Sequence, residues 1–289
     1  MASMRDIKRR KSSIQSTQQI TKAMKLVSTV KLQRTKQRAE QSKTYFEAMY
    51  KTVTSMLSKT GGLNHPYLKA STSEKKAVIV ITSNRGLAGG YNSNVTKLIT
   101  KGEFKKEDLV LYTIGKKGNE TFRRLGYNIA WDNTEMIEEP RYDDAMKLSK
   151  EILTGFSNGE FGEIYLAYTA FKNTISHEPT IIKLLPYEVD ENEENNDEQE
   201  NDDNVLMNFE PEDEEALNMI IPKYVTSLIF GGMVEAAASE NGARMQAMDS
   251  ATSNAEEMIS SLSLMYNRAR QGSITQELTE IVAGANAIS

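Results

Sequence analysis

The chain has no cysteine, only two histidines and a single tryptophan in its 289 residues. The absence of cysteine excludes disulfides, thiolate metal sites and cysteine nucleophiles. The two histidines, His65 and His177, both lie near prolines in apparent loops, so neither a zinc site nor a Ser/His/Asp triad is supported. The sequence therefore predicts no catalytic residue, no metal and no cofactor held by this chain.

Glycine and proline are absent from residues 1–60, and proline is absent from 223–289. At about 1.5 Å per residue, each end can form a helix of roughly 80 to 100 Å, far beyond the average helix of about 11 to 12 residues. Helices of that length cannot bury an apolar stripe alone. We therefore expect residues 1–60 and 212–289 to pack on each other as a coiled coil.

Long hydrophobic runs are also missing. No stretch approaches the 18 or more consecutive apolar residues of a membrane-spanning helix. Membrane association is therefore expected to be indirect, through partner proteins or at the membrane surface.

Charge is distributed unevenly, although the net charge is only -5. Residues 1–60 carry 14 Lys or Arg and 3 Asp or Glu, whereas residues 188–289 carry 4 and 22. The two ends should therefore attract each other. The basic end could also suit nucleic acid or an anionic membrane, but it has no aromatic residue before Tyr45 on which bases could stack. We expect no nucleic-acid partner.

A narrow apolar stripe follows one face of the first helix. Its spacing is that of an amphipathic helix, and the predicted members are Ile7, Ile14, Met24, Val27 and Val30. Polar residues dilute the stripe at Gln18, Thr21 and Ser28, which suits a two-helix seam or an interface that must not be held tightly. The same seam is expected to hold the methionines Met24, Met245, Met248 and Met265.

The middle of the chain alternates between two kinds of segment. Short β-branched runs at 77–81, 109–114, 163–168 and 180–185 predict strands, and the stretches 92–101, 116–125 and 141–156 predict helices. Such alternation indicates βαβ units and a mainly parallel sheet. We therefore predict a mixed α/β and α+β fold, with a Rossmann-like domain over residues 75–187 inserted between the helical ends.

A strongly acidic segment separates this domain from the last helix. Residues 188–204 include ten Asp or Glu and almost no apolar side chains, so residues 188–211 are predicted to form a solvated loop. The segment lacks the spacing of an EF-hand, so a calcium site is not supported.

One turn has the context of a phosphate-binding loop. Residues 82–90, Thr-Ser-Asn-Arg-Gly-Leu-Ala-Gly-Gly, follow a predicted strand and precede a predicted helix. They match neither the Walker A pattern nor G-x-G-x-x-G. A structural turn is the favoured interpretation, and a nucleotide-binding α/β protein with helical arms is the alternative.

Segments at both ends and in the middle carry a resemblance to a known family. Residues 239–248 and 264–281 closely resemble the C-terminal signature of the gamma subunit of F-type ATP synthases. Residues 14–27 resemble the first helix of that family, and residues 83–92 resemble its central turn. Order and spacing match over essentially the whole chain. The acidic segment is longer than usual, and the redox-regulatory cysteine insert of the chloroplast form is absent.

The resemblance implies a rotor with no catalytic site of its own. In this family the terminal helices form an antiparallel coiled coil inside a ring of alternating alpha and beta subunits. The α/β domain lies against the epsilon subunit and the membrane-embedded ring of c subunits. One copy per complex couples the flow of protons or sodium ions to ATP synthesis or hydrolysis, and the alpha and beta subunits bind ATP, ADP and magnesium.

The resemblance also implies where the partners touch this chain. Arg270, Gln271, Thr275 and Glu277 would contact loops of the beta subunits, with Met24, Lys25 and Arg244 as neighbouring elements of the same coupling zone. No Lys or Arg follows Gly272, and the last turns present an apolar face suited to a bearing sleeve, formed by Ile274, Leu278, Ile281, Val282 and Ile288.

The basic, acid-poor start of the chain mimics an organelle transit peptide, but the helical pattern continues past Lys25 without a cleavage context. Together with the missing chloroplast insert, this favours a bacterial protein. We expect a peripheral location on the cytoplasmic face of the plasma membrane.

Overall fold

The computed structural model describes residues 3–59, 66–68, 73–102, 104–187 and 213–288. The helices in these residues are α1 (Met4–Lys59), α2 (Tyr91–Thr100), α3 (Lys116–Arg124), α4 (Tyr142–Ser157) and α5 (Asp213–Ile288). The strands are β1 (Lys76–Ile81), β2 (Leu109–Ile114), β3 (Asn128–Asn133), β4 (Glu163–Phe171) and β5 (His177–Leu185). The predicted long terminal helices and the α/β middle are confirmed. The predicted acidic loop at 188–211 lies outside the described residues.

The chain divides into two compact units. One unit comprises Met1–Thr29 and Arg244–Ser289, and it therefore contains only the outer parts of α1 and α5. The other comprises Val30–Ala243 and contains the sheet, the shorter helices and the inner parts of both terminal helices. This division falls inside the terminal helices rather than at their ends, and the predicted domain boundaries stay predictions.

The sheet has the strand order β3-β2-β1-β4-β5. The pairings β1 with β2, β1 with β4 and β2 with β3 are parallel, whereas β4 and β5 form an antiparallel pair. The mainly parallel sheet is confirmed. The chain proceeds from β1 to β2 and β3 on one side and then returns to β4 on the other side of β1. The carboxyl ends of the neighbouring strands β1 and β4 therefore lie at a topological switch point, where open α/β sheets commonly bind ligands.

Both faces of the sheet are covered, which explains the unbroken apolar run in β1. Ala77, Ile79 and Ile81 are fully buried in a core shared with α4 and the inner part of α5. Val78 and Val80 are fully buried on the opposite face, in a core shared with α2 and α3. A strand buried on both faces selects apolar residues at every position rather than at every second one. The close approach of α5 requires Gly232, because a Cβ there would lie 2.9 Å from Leu166 Cδ2.

Strand β3 is the element that the sequence analysis missed. It lies at the edge of the sheet, and its residues alternate between exposed and half-buried. The half-buried members include Ile129 and Trp131, separated by exposed Ala130. That period-two pattern was the available signal, but it is short and polar at both ends.

Candidate protein-interaction site

In the unit formed by Met1–Thr29 and Arg244–Ser289, three polar contacts join α1 to α5. The Gln18 Nε2 group donates to Glu256 Oε1 at 2.9 Å, and the Thr21 and Thr252 hydroxyl oxygens lie 2.8 Å apart. The Lys25 ammonium group pairs with the Asp249 carboxylate at 2.5 Å. Residue numbers rise along α1 as they fall along α5, so the two helices are antiparallel.

The buried and half-buried positions of this seam follow a heptad spacing that differs in part from the predicted stripe. On α1 they include Met4, Ile7, Lys11, Ile14, Gln18, Thr21, Lys25 and Ser28; on α5 they include Met248, Thr252, Ala255, Ile259, Leu262, Tyr266 and Ala269. Alternating steps of three and four residues keep each row facing its partner. Ile7, Ile14 and Met248 are confirmed as seam residues.

The prediction was wrong for Val27, Val30 and Met265, which are 58%, 51% and 53% exposed. Two of the polar residues predicted to dilute the stripe are themselves buried in the seam, since Ser28 is 2% exposed and Thr21 is 9% exposed. Thr21 reaches Thr252 across the seam, whereas Val27 is directed away from it.

Helix α1 consequently carries a second apolar row on the side away from the seam. Ile20, Leu26 and Val27 are each between 58% and 62% exposed, and at 100° per residue they lie on the face opposite to Thr21 and Lys25. A contiguous apolar surface of this kind typically marks a protein-interaction site. The sequence analysis did not identify Ile20 or Leu26, although the heptad spacing places both outside the seam.

The end of α5 extends past the seam as a single helix. The last half-buried position is Ala269, and every residue from 270 to 287 is exposed. These 18 residues span about 27 Å at 1.5 Å per residue. Ile274, Leu278 and Ile281 are 50%, 58% and 62% exposed and share one face of this tip, so the predicted apolar face is present and open.

The predicted contact residues fall into two groups. Arg270, Gln271, Thr275 and Glu277 are all exposed on the tip. At 100° per residue, Arg270 and Glu277 flank one side of the apolar stripe, and Gln271 and Thr275 flank the other. A polar border around an apolar centre is the usual anatomy of a protein interface.

The second group lies along the helix pair rather than on the tip. Met24, Lys25 and Arg244 are half-buried. Lys25 is engaged with Asp249, and Arg244 also has an interaction within the chain. Geometry therefore separates these three residues from the exposed group, and contact of either group with a partner stays a prediction.

Oxygen atoms of the loop after β1 accept hydrogen bonds from the N-terminal amides of α3. The first three amides of α3 are occupied, because the Lys116 N–H donates to Asn84 Oδ1 at 3.0 Å and the Lys117 N–H to the Ser83 carbonyl at 3.0 Å. The Gly118 N–H donates to Thr82 Oγ1 at 2.8 Å. These are the donors that a phosphate would need at this helix N-terminus. The arrangement supports a structural interpretation of the 114–118 turn, and it shows that the side chains of Thr82 and Asn84 in the 82–90 turn serve this joint.

Two glycines make this joint possible. A Cβ on Gly115, whose φ is +94°, would lie 2.0 Å from the Thr82 carbonyl oxygen. A Cβ on Gly118 would lie 2.7 Å from Thr82 Oγ1 and 2.9 Å from its Cγ2 atom. The Ile114-Gly115-Lys116-Lys117-Gly118 turn is therefore shaped by contact with Thr82.

A charged cluster lies at the opposite, amino edge of the sheet. The Glu163 carboxylate pairs with Lys76 at 2.6 Å and with Lys183 at 3.2 Å, and it accepts a hydrogen bond from the Tyr165 hydroxyl. Partial burial raises the pKa of Glu163, but the hydrogen bonds from the two lysines outweigh burial, so the pKa lies below its ordinary value. The raised pKa of Lys76, caused mainly by its bond to Glu163, keeps that ammonium charged and unsuited to act as a nucleophile.

His177 packs against an aromatic ring rather than against potential metal ligands. His177 stacks on Phe171 with ring centroids 6.0 Å apart, and burial lowers its pKa. No group of three or more potential His, Asp or Glu ligands comes together among the described residues. His65 lies outside them.

Helix α5 also contains a window, within Leu217–Ala287, that is apolar and long enough to cross a bilayer, with a mean hydropathy of 1.3. Because 61% of the window is buried inside the protein, the feature is weak support for a membrane span and is equally typical of a core helix.

Comparison with known proteins identifies the family. The profile of a family described as ATP synthase matches residues 3–288. The ATP synthase gamma chain of Lachnoclostridium phytofermentans is 64% identical over 291 aligned residues, covering 100% of both chains. The chain belongs to the ATP synthase gamma-chain family.

A second relative and a solved structure agree with this family assignment. The sodium-ion-specific ATP synthase gamma chain of Acetobacterium woodii is 42% identical, with 99% of each chain covered. A chain from the OSCP, F1 and c-ring structure of the Euglena gracilis mitochondrial ATP synthase has the same fold, with a TM-score of 0.69 at 20% identity. It covers 99% of this chain and 94% of that one. The resemblance stated from the sequence is confirmed.

Proposed function

We propose that this gamma chain is the central-stalk rotor of an F-type ATP synthase. The outer helix pair turns inside the ring of alpha and beta subunits, and the α/β domain engages the epsilon subunit and the ring of c subunits. Rotation couples ion flow through the membrane sector to ATP synthesis, or to ATP hydrolysis in reverse, at the beta subunits.

The observation that carries this proposal is the α5 tip, in which residues 270–287 are exposed on every side and bear an open apolar stripe. A lone apolar helix in water exposes surface at a cost of about 25 cal/mol per Å². A sleeve of surrounding subunits would cover that surface without fixing it to one angle, because apolar contact is non-directional.

The polar border of the tip supplies the contacts that depend on angle. Arg270 and Glu277 on one side, and Gln271 and Thr275 on the other, can meet polar loops of the beta subunits in turn. A charge-assisted hydrogen bond contributes about 1.5 to 3 kcal/mol, which is small enough to be made and broken at each step. Met24, Lys25 and Arg244 belong to the same coupling zone on the helix pair.

The chain itself supplies no catalytic group, metal or cofactor in this proposal. ATP, ADP and magnesium are held by the alpha and beta subunits. The occupied amides of α3 support this division of labour. We infer a single copy per complex, bound peripherally at the cytoplasmic face of a bacterial membrane, and a coupling ion that is either the proton or sodium.

Co-expression with the alpha and beta subunits of a related bacterial ATP synthase tests the proposal. We expect the chain to co-purify with both subunits and to support ATP hydrolysis. Arg270→Ala and Gln271→Ala should assemble but lower the ions pumped per ATP hydrolysed in the complete complex. Arg268→Ala is the matched control, because it removes another exposed positive charge two residues from Arg270. Failure to join the complex, or an equal defect in the control, would contradict the proposal.

A further inference from the structure

A cavity of about 410 Å³ lies between α4 and the first turns of α5. Small-molecule sites in proteins commonly measure about 300 to 1,000 Å³. One wall is a face of α4 whose residues recur at helical spacing, and the other wall is formed by Pro222, Lys223 and Thr226 of α5. Tyr67 also lines the cavity. All of these residues belong to the unit Val30–Ala243, so the cavity is a feature of that unit alone.

One buried hydroxyl in the wall has no partner. Ser149 is 1% exposed, and its Oγ atom makes no hydrogen bond to any described residue. The other two threonine hydroxyls of the wall, by contrast, each donate to a carbonyl of their own helix at 2.7 Å, from Thr154 to Lys150 and from Thr226 to Pro222. Leaving a buried hydroxyl unpaired is costly, and such groups are usually satisfied by water or by a ligand. Ser149 therefore offers the cavity an unused hydrogen-bond donor.

The charged groups that line the cavity are both positive. Lys150 of α4 and Lys223 of α5 are exposed, and neither ammonium group has an ion pair within the described ranges. No Asp or Glu is among the described residues of the wall. Lys147, which lies outside the wall on the same helix, pairs instead with Asp144 at 3.5 Å. The cavity consequently favours a negatively charged group over a positively charged one.

We infer that this cavity is a binding site for a single-chain amphiphilic anion, whose carboxylate or phosphate head is held by Lys150, Lys223 and the Ser149 hydroxyl. The remaining wall suits an apolar body, since it includes Met146 and Leu153. Met146 is 49% exposed, so a bound apolar chain would remove part of its side chain from water.

The end of α4 limits where the negative head can lie. Ser157 and Asn158 also line the cavity, at the C-terminus of this helix. The unpaired carbonyls of a helix C-terminus carry a partial negative charge, whose effect falls off within the last turn. Lys150 lies about two turns earlier at 3.6 residues per turn. The head therefore belongs beside Lys150 rather than beside Ser157.

Three probes of equal chain length test the charge preference. Octanoate, octanol and octylammonium are titrated separately into the purified full chain, and binding is followed by saturation-transfer NMR of each probe. We expect octanoate to bind with a Kd of about 1 mM, as is typical of so small a ligand. Octanol should bind less tightly, and octylammonium least tightly of the three.

The lysines are tested by removing both charges. Lys150→Gln with Lys223→Gln should weaken octanoate binding by about three- to tenfold, since exposed charge pairs contribute modestly, and should leave octanol binding unchanged. High salt should reduce the difference between the parent and this variant. Lys147→Gln is the matched control, because it removes a positive charge from the same helix outside the cavity wall, and it should bind octanoate like the parent.

Two further variants separate binding from folding. Ser149→Ala should weaken octanoate binding by about two- to tenfold. The unliganded variant should nevertheless melt no lower than the parent, because no hydrogen bond is lost and alanine is the better helix former. Thr154→Trp places a large side chain at the exposed part of the wall, and it should abolish binding of octanoate and octanol alike.

The pattern across probes and variants decides the inference. Preferential octanoate binding that is weakened in the double lysine variant, and not in Lys147→Gln, supports it. The inference is overturned if none of the probes binds, or if octylammonium binds as tightly as octanoate. An equal loss of octanoate affinity in Lys147→Gln, or parent-like octanoate binding in Thr154→Trp, also overturns it, because binding would then lie outside this cavity.

Discussion

Replacing Gly118 by alanine should destabilise the protein, although the position is inside helix α3. In an ordinary helix this change stabilises by roughly 0.5 to 1 kcal/mol, because glycine loses more backbone entropy on folding. Here the added Cβ would lie 2.7 Å from Thr82 Oγ1 and 2.9 Å from Thr82 Cγ2. Both contacts are well inside van der Waals distance, and Thr82 is fully buried, so it has little room to move.

The magnitude follows from two costs and one opposing gain in helix propensity. Overpacking of a well-packed core costs about 1 to 3 kcal/mol. Displacing Thr82 also weakens the bond from the Gly118 N–H to Thr82 Oγ1, which contributes about 0.5 to 1.5 kcal/mol. After the gain in helix propensity is subtracted, we expect a net loss of about 1 to 3 kcal/mol.

Thermal unfolding of the purified chain measures the effect. For a unit of this size, 1 kcal/mol lowers Tm by about 2 to 4 °C. Gly86→Ala, in the neighbouring loop, is the matched control, since a Cβ there would meet nothing within 4 Å. If Gly118→Ala melts at the same temperature as the control or above it, the contact between α3 and Thr82 does not constrain this joint.

Three further outcomes are expected. Glu163→Gln should flatten acid unfolding: the folded-state pKa of Glu163 lies below 4.5, so its contribution is complete above pH 4.5 and is lost as pH falls through the lowered value. An unchanged acid limb would contradict this. Val27→Pro should cost about 3 kcal/mol or more and reduce helicity by circular dichroism, whereas Val27→Ala should not, because Val27 is 58% exposed and the damage is to the backbone. Ile281→Asn should leave Tm unchanged but weaken co-purification with alpha and beta subunits, and Ala283→Asn, on the other side of the tip, should bind normally.

The elements that the sequence predicted well are those whose pattern is set by local chemistry. The absence of glycine and proline fixed the long course of α1, and β1 was recognisable because burial on both faces makes all its residues apolar. The tip of α5 was also predictable, since Ile274, Leu278 and Ile281 recur at helical spacing with no cation after Gly272.

The seam between α1 and α5 shows where reasoning from local chemistry was insufficient. Val27 is apolar and was assigned to the seam, yet it is exposed, because the choice between two parallel rows on one helix depends on which row the partner helix meets. Thr21 and Ser28 are polar and therefore look like interruptions of the apolar stripe, yet both are buried in the seam. Only the partner residue Thr252, 231 positions away, shows why a hydroxyl is buried there.

The loop after β1 was ambiguous for a related reason. Its glycines and polar residues fit a phosphate-binding turn until the partners of its acceptor oxygens are known. Those partners are the first amides of α3, more than 30 residues later in the chain, and their hydrogen bonds make the turn a structural joint.

The central claim is that this chain turns inside a ring of alpha and beta subunits. The most direct measurement fixes that ring to a surface, attaches a bead to the α/β domain through a single introduced cysteine, and records the bead while ATP is supplied. We predict unidirectional rotation in three-fold steps. A complex that hydrolyses ATP at the same rate while the bead stays fixed, or only fluctuates without direction, would contradict the claim.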